Sequence, residues 1–181
     1  MAEPRVVFGN TVDGMMRKGI GDKLTPALKQ KLKTEGLDLE APTQAAYAYD
    51  DWKRWAAIAA EEVYPGLTVP ARYHALGRAV VMGIRVTAIG RTVEAMVRLL
   101  GPRRTLGRMN RNLRTSDNFS MAILTDLGPR QVRVHINEVM DQPSYLQGVL
   151  EAIVELAGGK GVQVEIAEVS LPATTYLVRW T

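Results

Sequence analysis

Apolar residues recur with helical period over roughly the first 114 positions of the chain and with strand period over much of the remainder, and this change of period frames everything else. Val6 to Phe8 reads as a short strand passing into a helix that Asn10 or Thr11 would cap. The next segment predicts an amphipathic helix: Pro26 stands at a first helical position, Leu24, Leu28 and Leu32 share a face, lysines take the other, and Gly36 stops it. Between Tyr49 and Val63, Trp52, Trp55, Ala56, Ala59 and Val63 fall at helical spacing before Pro65-Gly66, which marks a core helix. A long or broken helical region follows, with Leu76, Val80, Gly83, Thr87 and Gly90 on related turns. Gly77, Gly83, Gly90 and, further on, Gly148 lie inside helical patterns, where each costs up to about 1 kcal/mol relative to Ala, so they point to a kink or to close helix packing.

In the last third "NFSMAILTD" and "QVRVHINEV" alternate as strands do, and "LGPR" between them supplies the turn of an antiparallel hairpin. "SYLQGVLEAIVELAGG" returns to helical period, with Tyr145, Val149, Ile153 and Leu156 on one stripe and Gly158-Gly159 as terminator. "VQVEIAEVS" and "TTYLVRWT" then predict a second strand pair. The expected fold is α+β: a helical part over about residues 1–114 followed by a β-β-α-β-β antiparallel sheet unit over about 118–181, in one domain spanning 1–181.

Composition narrows the function classes. A length of 181 residues, 46% hydrophobic and 23% charged, is that of a globular domain, and no apolar run approaches the roughly 20 residues that span a bilayer. The chain has no cysteine and no signal-peptide pattern at "MAEPRVVFGN", which sets the expectation of a cytoplasmic protein without disulfides or thiolate metal sites. The net charge of +4 is unevenly spread, with twelve arginines between Arg72 and Arg133 against Glu94, Asp117 and Asp126. In "GPRRTLGRMNRNLRTSDN", Leu106, Met109 and Leu113 would occupy one side of a helix and Arg104, Arg108 and Arg111 the other. That stripe reads first as a solvated face. As binding chemistry it would suit an acidic partner, a nucleotide or a nucleic acid, but no base-reading motif accompanies it.

Catalytic constellations are thin. There is no Gly-x-Ser-x-Gly elbow, "GGKG" lacks phosphate-loop spacing and reads as a turn, and no Gly-x-Gly-x-x-Gly fingerprint is present. Asp50-Asp51 and Glu61-Glu62 read as helix-end charges and not as metal ligands. The histidines are His74 and His135; His74 beside Tyr73 and Arg78 is the cluster an enzyme of unknown class would have to use, and His135 falls on the polar face of its strand. Trp52 and Trp55 read as packing. Asn137 and Glu138, at the end of a strand, either fix the connection to the next helix or line a pocket mouth.

"HALGRAVVMG", "LLGPRRTL", "PSYLQGVLE" and the closing "YLVRW" resemble a domain-of-unknown-function family of myxobacteria with many paralogues of about this length. More distantly, helices followed by β-β-α-β-β are similar in order to haem-NO-binding domains, four-vinyl-reductase domains and TRAPP subunits, folds whose sheet and helices enclose a small-molecule or acyl-chain pocket. The haem version implies a ligating histidine on the helix before the first strand and a Tyr-x-Ser-x-Arg motif near the strands after it. Here "RTLGRMNRNL" has no histidine and "HINEV" stands where the motif would be sought, so haem is not expected and no cofactor is assigned. The resulting expectation is a non-enzymatic ligand-binding or protein-interaction module, a sensor of a small molecule or lipid, with Arg104, Arg108, Arg111, His74, Asn137 and Glu138 as candidate contacts. Its alternatives are nucleic-acid or nucleotide binding through the arginine stripe, and an enzyme. A homodimer through the helices of Arg72 to Leu100 is the expected assembly, because Leu76, Val80 and Thr87 form one apolar stripe and Val81, Ile84 and Ala88 a second.

Overall fold

The computed structural model describes residues 3–85 and 88–181 and, within these, the side chains outside 84–93. The chain opens with β1 (Val6–Phe8) and α1 (Gly9–Asp13), which runs on into a π-helical turn, Gly14–Gly19. Neither Asn10 nor Thr11 caps α1: both side chains turn away, to the carbonyls of Thr115 (3.1 Å) and Ser116 (3.1 Å), and so tie the N-terminus to the segment entering the sheet. Next come α2 (Pro26–Thr34), β2 (Ala46–Ala48) and α3 (Tyr49–Val63). The predicted start of α2 at Pro26 holds, with Thr25 accepting from the Leu28 amide at 3.2 Å. β2, which the alternation is too short to show, pairs antiparallel with β1.

The long helical region is α4 (Val69–Arg85) and α5 (Ala88–Gly107), followed by the short α6 (Met109–Leu113). α5 bends at Gly101, whose backbone (φ 72°, ψ 168°) is non-helical, with Pro102 next to it. The predicted hairpin is β3 (Ala122–Gly128) and β4 (Gln131–Ile136); α7 (Pro143–Leu156), β5 (Gln163–Ser170) and β6 (Ala173–Arg179) complete an antiparallel sheet ordered β3-β4-β6-β5. The fold class is α+β, as the change of period implies.

One face of the sheet supplies Val132, Val134, Ile136, Tyr176 and Val178 to the core. α7 lies between this face and α4. The predicted single stripe of α7 is therefore incomplete: Tyr145 is buried, but so are Leu146, Leu150, Ala152 and Val154, because the helix is covered on two sides. Glycines set the separation of α4 and α7. A Cβ at Gly77 would lie 2.0 Å from the Tyr145 carbonyl oxygen, and one at Gly148 would lie 2.1 Å from that of His74. Gly83 faces the π-helical turn in the same way, 2.4 Å from the Gly19 nitrogen, so close packing is the role of these three. Gly90 and Thr87, with Ile84 and Ala88 of the second proposed dimer stripe, lie outside the described side chains; Leu76 of the first stripe and Val81 of the second are buried within the chain. Among the described residues no helix is long and apolar enough to cross a membrane.

Candidate functional site

Where the helical part meets the β4–α7 connection, the packing leaves a cavity of about 130 Å³. Val7, Trp52, Val80, Leu113, Leu146 and Val149 give it an apolar wall drawn from both parts of the fold. Its polar groups come from distant points of the chain: Thr11, Tyr49, Ser116, Asp117, Ser120, Glu138 and Tyr145. A larger depression of about 470 Å³ at the far end of the sheet, around Gly128–Gln131 and Trp180, is a surface groove and encloses nothing comparable.

Glu138 is the best-organised of these groups. It is 7% exposed, and its carboxylate accepts from the Tyr49 hydroxyl (2.8 Å), the Met140 amide (3.0 Å) and the Arg5 guanidinium. Burial alone would raise its pKa; the Arg5 and Tyr49 hydrogen bonds and the Met140 amide outweigh that and hold it below the usual carboxylate range. Arg5 in turn lies over the rings of Tyr49 (4.4 Å) and Phe119 (4.2 Å). Burial first, and the adjacent Glu138 second, push the Tyr49 phenol up, so it stays a donor. The Glu138–Met140 bond also secures a turn in which Met140 and Asp141 both take φ 56°, a left-handed conformation that non-glycine residues rarely adopt. Trp52 donates to the Met140 sulfur at 2.9 Å, joining α3 to that turn.

The sequence-derived candidates separate into three places. Glu138 lines the cavity and fixes the turn, combining the two roles open to it. Asn137 serves the connection: its side chain donates to the Phe119 carbonyl (3.0 Å) and accepts from the Met121 amide (2.6 Å). His74 lies on the α4–α7 surface, where its Nε2 sits 2.9 Å from Glu151, and Arg78 bonds Glu151 (3.2 Å) and Glu155 (2.6 Å); the network joins two helices, and Tyr73 is buried without a hydrogen bond to it. Arg104, Arg108 and Arg111 are exposed, while Leu106 and Met109 beneath them are buried. The stripe faces solvent away from the cavity, interrupted where α5 ends and α6 begins. Trp55 is core packing, donating to the Glu35 carbonyl at 2.9 Å, whereas Trp52 both packs and lines the cavity. Arg5, Tyr49, Asp117 and Tyr145 were not legible as site residues, since each stands in an ordinary local pattern and only the tertiary fold brings them together. Among the described residues no group of three or more His, Asp or Glu is placed to hold a metal ion.

Solved structures of similar shape are haem-NO-binding (H-NOX) domains. One is an oxygen-binding H-NOX domain related to soluble guanylate cyclases, 12% identical over 96% of this chain and 94% of that one, with a TM-score of 0.70. Another is the unliganded Fe(II) H-NOX protein from K. algicida, 9% identical over 96% of each chain, with a TM-score of 0.64. At such identities the likeness shows the fold alone. No curated protein matches the chain.

The residues present do not fit a haem. His74 and His135 lie outside the cavity, His74 against Glu151 and His135 with its Nδ1 3.0 Å from the Thr175 hydroxyl on the sheet. Of the other axial-ligand types in the lining, the Met140 sulfur accepts from Trp52, the Tyr49 hydroxyl donates to Glu138, and burial raises the Tyr145 phenol, which disfavours the phenolate that would bind iron. A volume of about 130 Å³ also falls short of the roughly 300–1,000 Å³ that holds drug-sized ligands.

The resemblance carried by "LLGPRRTL" and "PSYLQGVLE" is matched over nearly the whole length, residues 5–181, by the family described as "Protein of unknown function (DUF2378)", and the chain belongs to that family.

Proposed function

We propose that this chain is a non-enzymatic small-molecule-binding module, a sensor or adaptor domain that works without haem. The observation that carries this reading is the cavity's position. It is walled by β1, α1, α3 and α4 on one side and by the β4–α7 connection and α7 on the other, so an occupant touches both parts of the fold. Ligand binding would thereby be felt at the Arg5–Glu138–Tyr49 contact, which joins the N-terminal strand to the turn after β4. The H-NOX likeness supports the reading, since an oxygen-binding domain shares the architecture. The Glu138 carboxylate, the Tyr49 hydroxyl and one Asp117 oxygen are engaged with each other or with the backbone, and no nucleophile–base pair is assembled among the described residues, which favours binding over catalysis.

The test is mass spectrometry of small molecules released on denaturing the purified protein, compared with Val149→Phe, which fills the cavity, and with Leu113→Phe as a second filling variant. A molecule released in stoichiometric amount from the natural protein and absent from the folded variants is the expected result. Identical extracts from all three proteins, together with identical melting shifts across a compound panel, would overturn the proposal.

A further inference from the structure

We infer that the cavity takes a small neutral molecule of about the size of benzene or phenol, carrying an oxygen that accepts a hydrogen bond from the Tyr145 hydroxyl. The inference rests on the binding proposal above and specifies its ligand. Size comes from the volume: about 130 Å³ is close to the roughly 150 Å³ of an engineered apolar cavity that binds benzene. The body of the ligand follows from the wall of Val7, Trp52, Val80, Leu113, Leu146 and Val149, which offers contact area and no charge.

The polar end follows from which groups are already used. Glu138 is filled by Arg5, Tyr49 and the Met140 amide. One Asp117 oxygen accepts from the amides of Phe119 (3.0 Å) and Ser120 (2.6 Å), and Thr11 donates to the Ser116 carbonyl. Ser116 donates to the Asn112 carbonyl at 3.5 Å. The second Asp117 oxygen and two hydroxyls in the lining remain, those of Tyr145 and Ser120; these two residues are 7% and 9% exposed, and neither hydroxyl has a hydrogen-bond partner among the described residues. Among the described residues the fully buried side-chain oxygen without a partner is that of Thr174, so these two hydroxyls are open to the cavity, where an occupant can bond them. Burial above all, with the negative charge of Asp117 adding to it, pushes the Tyr145 phenol well up, so at neutral pH it keeps its proton and can donate it to an acceptor. The carboxylates of Asp117 and Glu138 line the same space and oppose an anion, which leaves a neutral hydroxyl or carbonyl as the complementary group.

Calorimetric titration of the full chain with phenol, toluene and benzoate tests this, using Tyr145→Phe and Ser120→Ala. Tyr145→Phe removes a hydroxyl that bonds nothing within the described protein, so its melting temperature should match the natural one. Expected are a loss of about five-fold in phenol affinity in Tyr145→Phe, toluene affinity unchanged within about two-fold, and weaker binding of benzoate than of phenol throughout. An equal effect of Tyr145→Phe on phenol and toluene, or tighter binding of benzoate than of phenol, would overturn the inference. If none of the three binds while extraction yields a different molecule that Val149→Phe excludes, the ligand class is refuted and the binding proposal stands. If extraction yields nothing as well and the melting shifts across the compound panel are identical in Val149→Phe, both fall.

Discussion

Gly77 gives the sharpest energetic prediction, because the same chemical change should have opposite signs at two helical glycines. In Gly77→Ala the new methyl would start 2.0 Å from the Tyr145 carbonyl oxygen and 3.1 Å from the Val149 nitrogen, both backbone atoms of α7 that no rotamer change can move. Reaching ordinary contact requires α4 and α7 to separate by roughly 1.5 Å, in an interior packed as tightly as an organic crystal. Overpacking of this kind costs about 3 kcal/mol, offset by about 1 kcal/mol from the better helix propensity of Ala. The net destabilisation of about 2 kcal/mol lowers the melting temperature of a chain this long by roughly 4–8 °C. At Gly14 the backbone is helical (φ −59°, ψ −42°) and an added Cβ meets nothing within 4 Å. Gly14→Ala should therefore gain up to about 1 kcal/mol and melt roughly 2–4 °C higher. Differential scanning calorimetry of both variants decides the matter. If Gly77→Ala melts at or above the natural protein, the close crossing of α4 on α7, and with it the placement of Tyr145, is wrong.

The remaining predictions concern the site. Glu138→Gln weakens the bond to half-exposed Arg5 and should cost about 1–2 kcal/mol at pH 7. Because the folded pKa of Glu138 is lowered, its contribution is present above the unfolded value of about 4.3 and is lost as pH falls through the folded one, so the melting difference between the natural protein and Glu138→Gln should shrink between pH 5 and 3. Arg104→Glu with Arg108→Glu should shift the melting temperature by no more than about 2 °C, since both side chains are exposed and neither has an ion pair among the described residues; salt-sensitive DNA binding that this double variant abolishes would instead favour the arginine stripe as a site. Adding hemin should give no one-to-one complex with a histidine-type Soret band in absorption spectra, and such a band, lost in His74→Ala or His135→Ala, would show that the chain does ligate haem through a histidine.

Much of the architecture was legible because periodicity reports burial on one face. The hairpin of β3 and β4 and the helices from Pro26 and Tyr49 could be read directly, and the glycines at 77, 83 and 148 announced the close packing they provide. α7 was half legible: a helix covered on two sides loses the single stripe by which sequence patterns are read. Asn10 and Thr11 look like caps, yet tertiary partners at Thr115 and Ser116 claim their side chains. Of the site, Glu138 alone was marked in the sequence, through its place at a strand end. Tyr145 looks like any core aromatic on a helix, Asp117 like any turn former and Arg5 like any terminal cation; what makes them a site is a convergence of residues 5, 49, 117, 138 and 145 that only the folded chain brings about.

The central claim is that this fold keeps a small, accessible, mostly apolar cavity between its two parts. A crystal structure of the protein under xenon pressure tests it most directly, because xenon enters dry apolar cavities of this size. One well-occupied xenon position is expected, bounded by Val80, Leu113, Leu146 and Val149, displaced when phenol is added and missing in Val149→Phe. A space filled by protein side chains, with no xenon in it, would contradict the account.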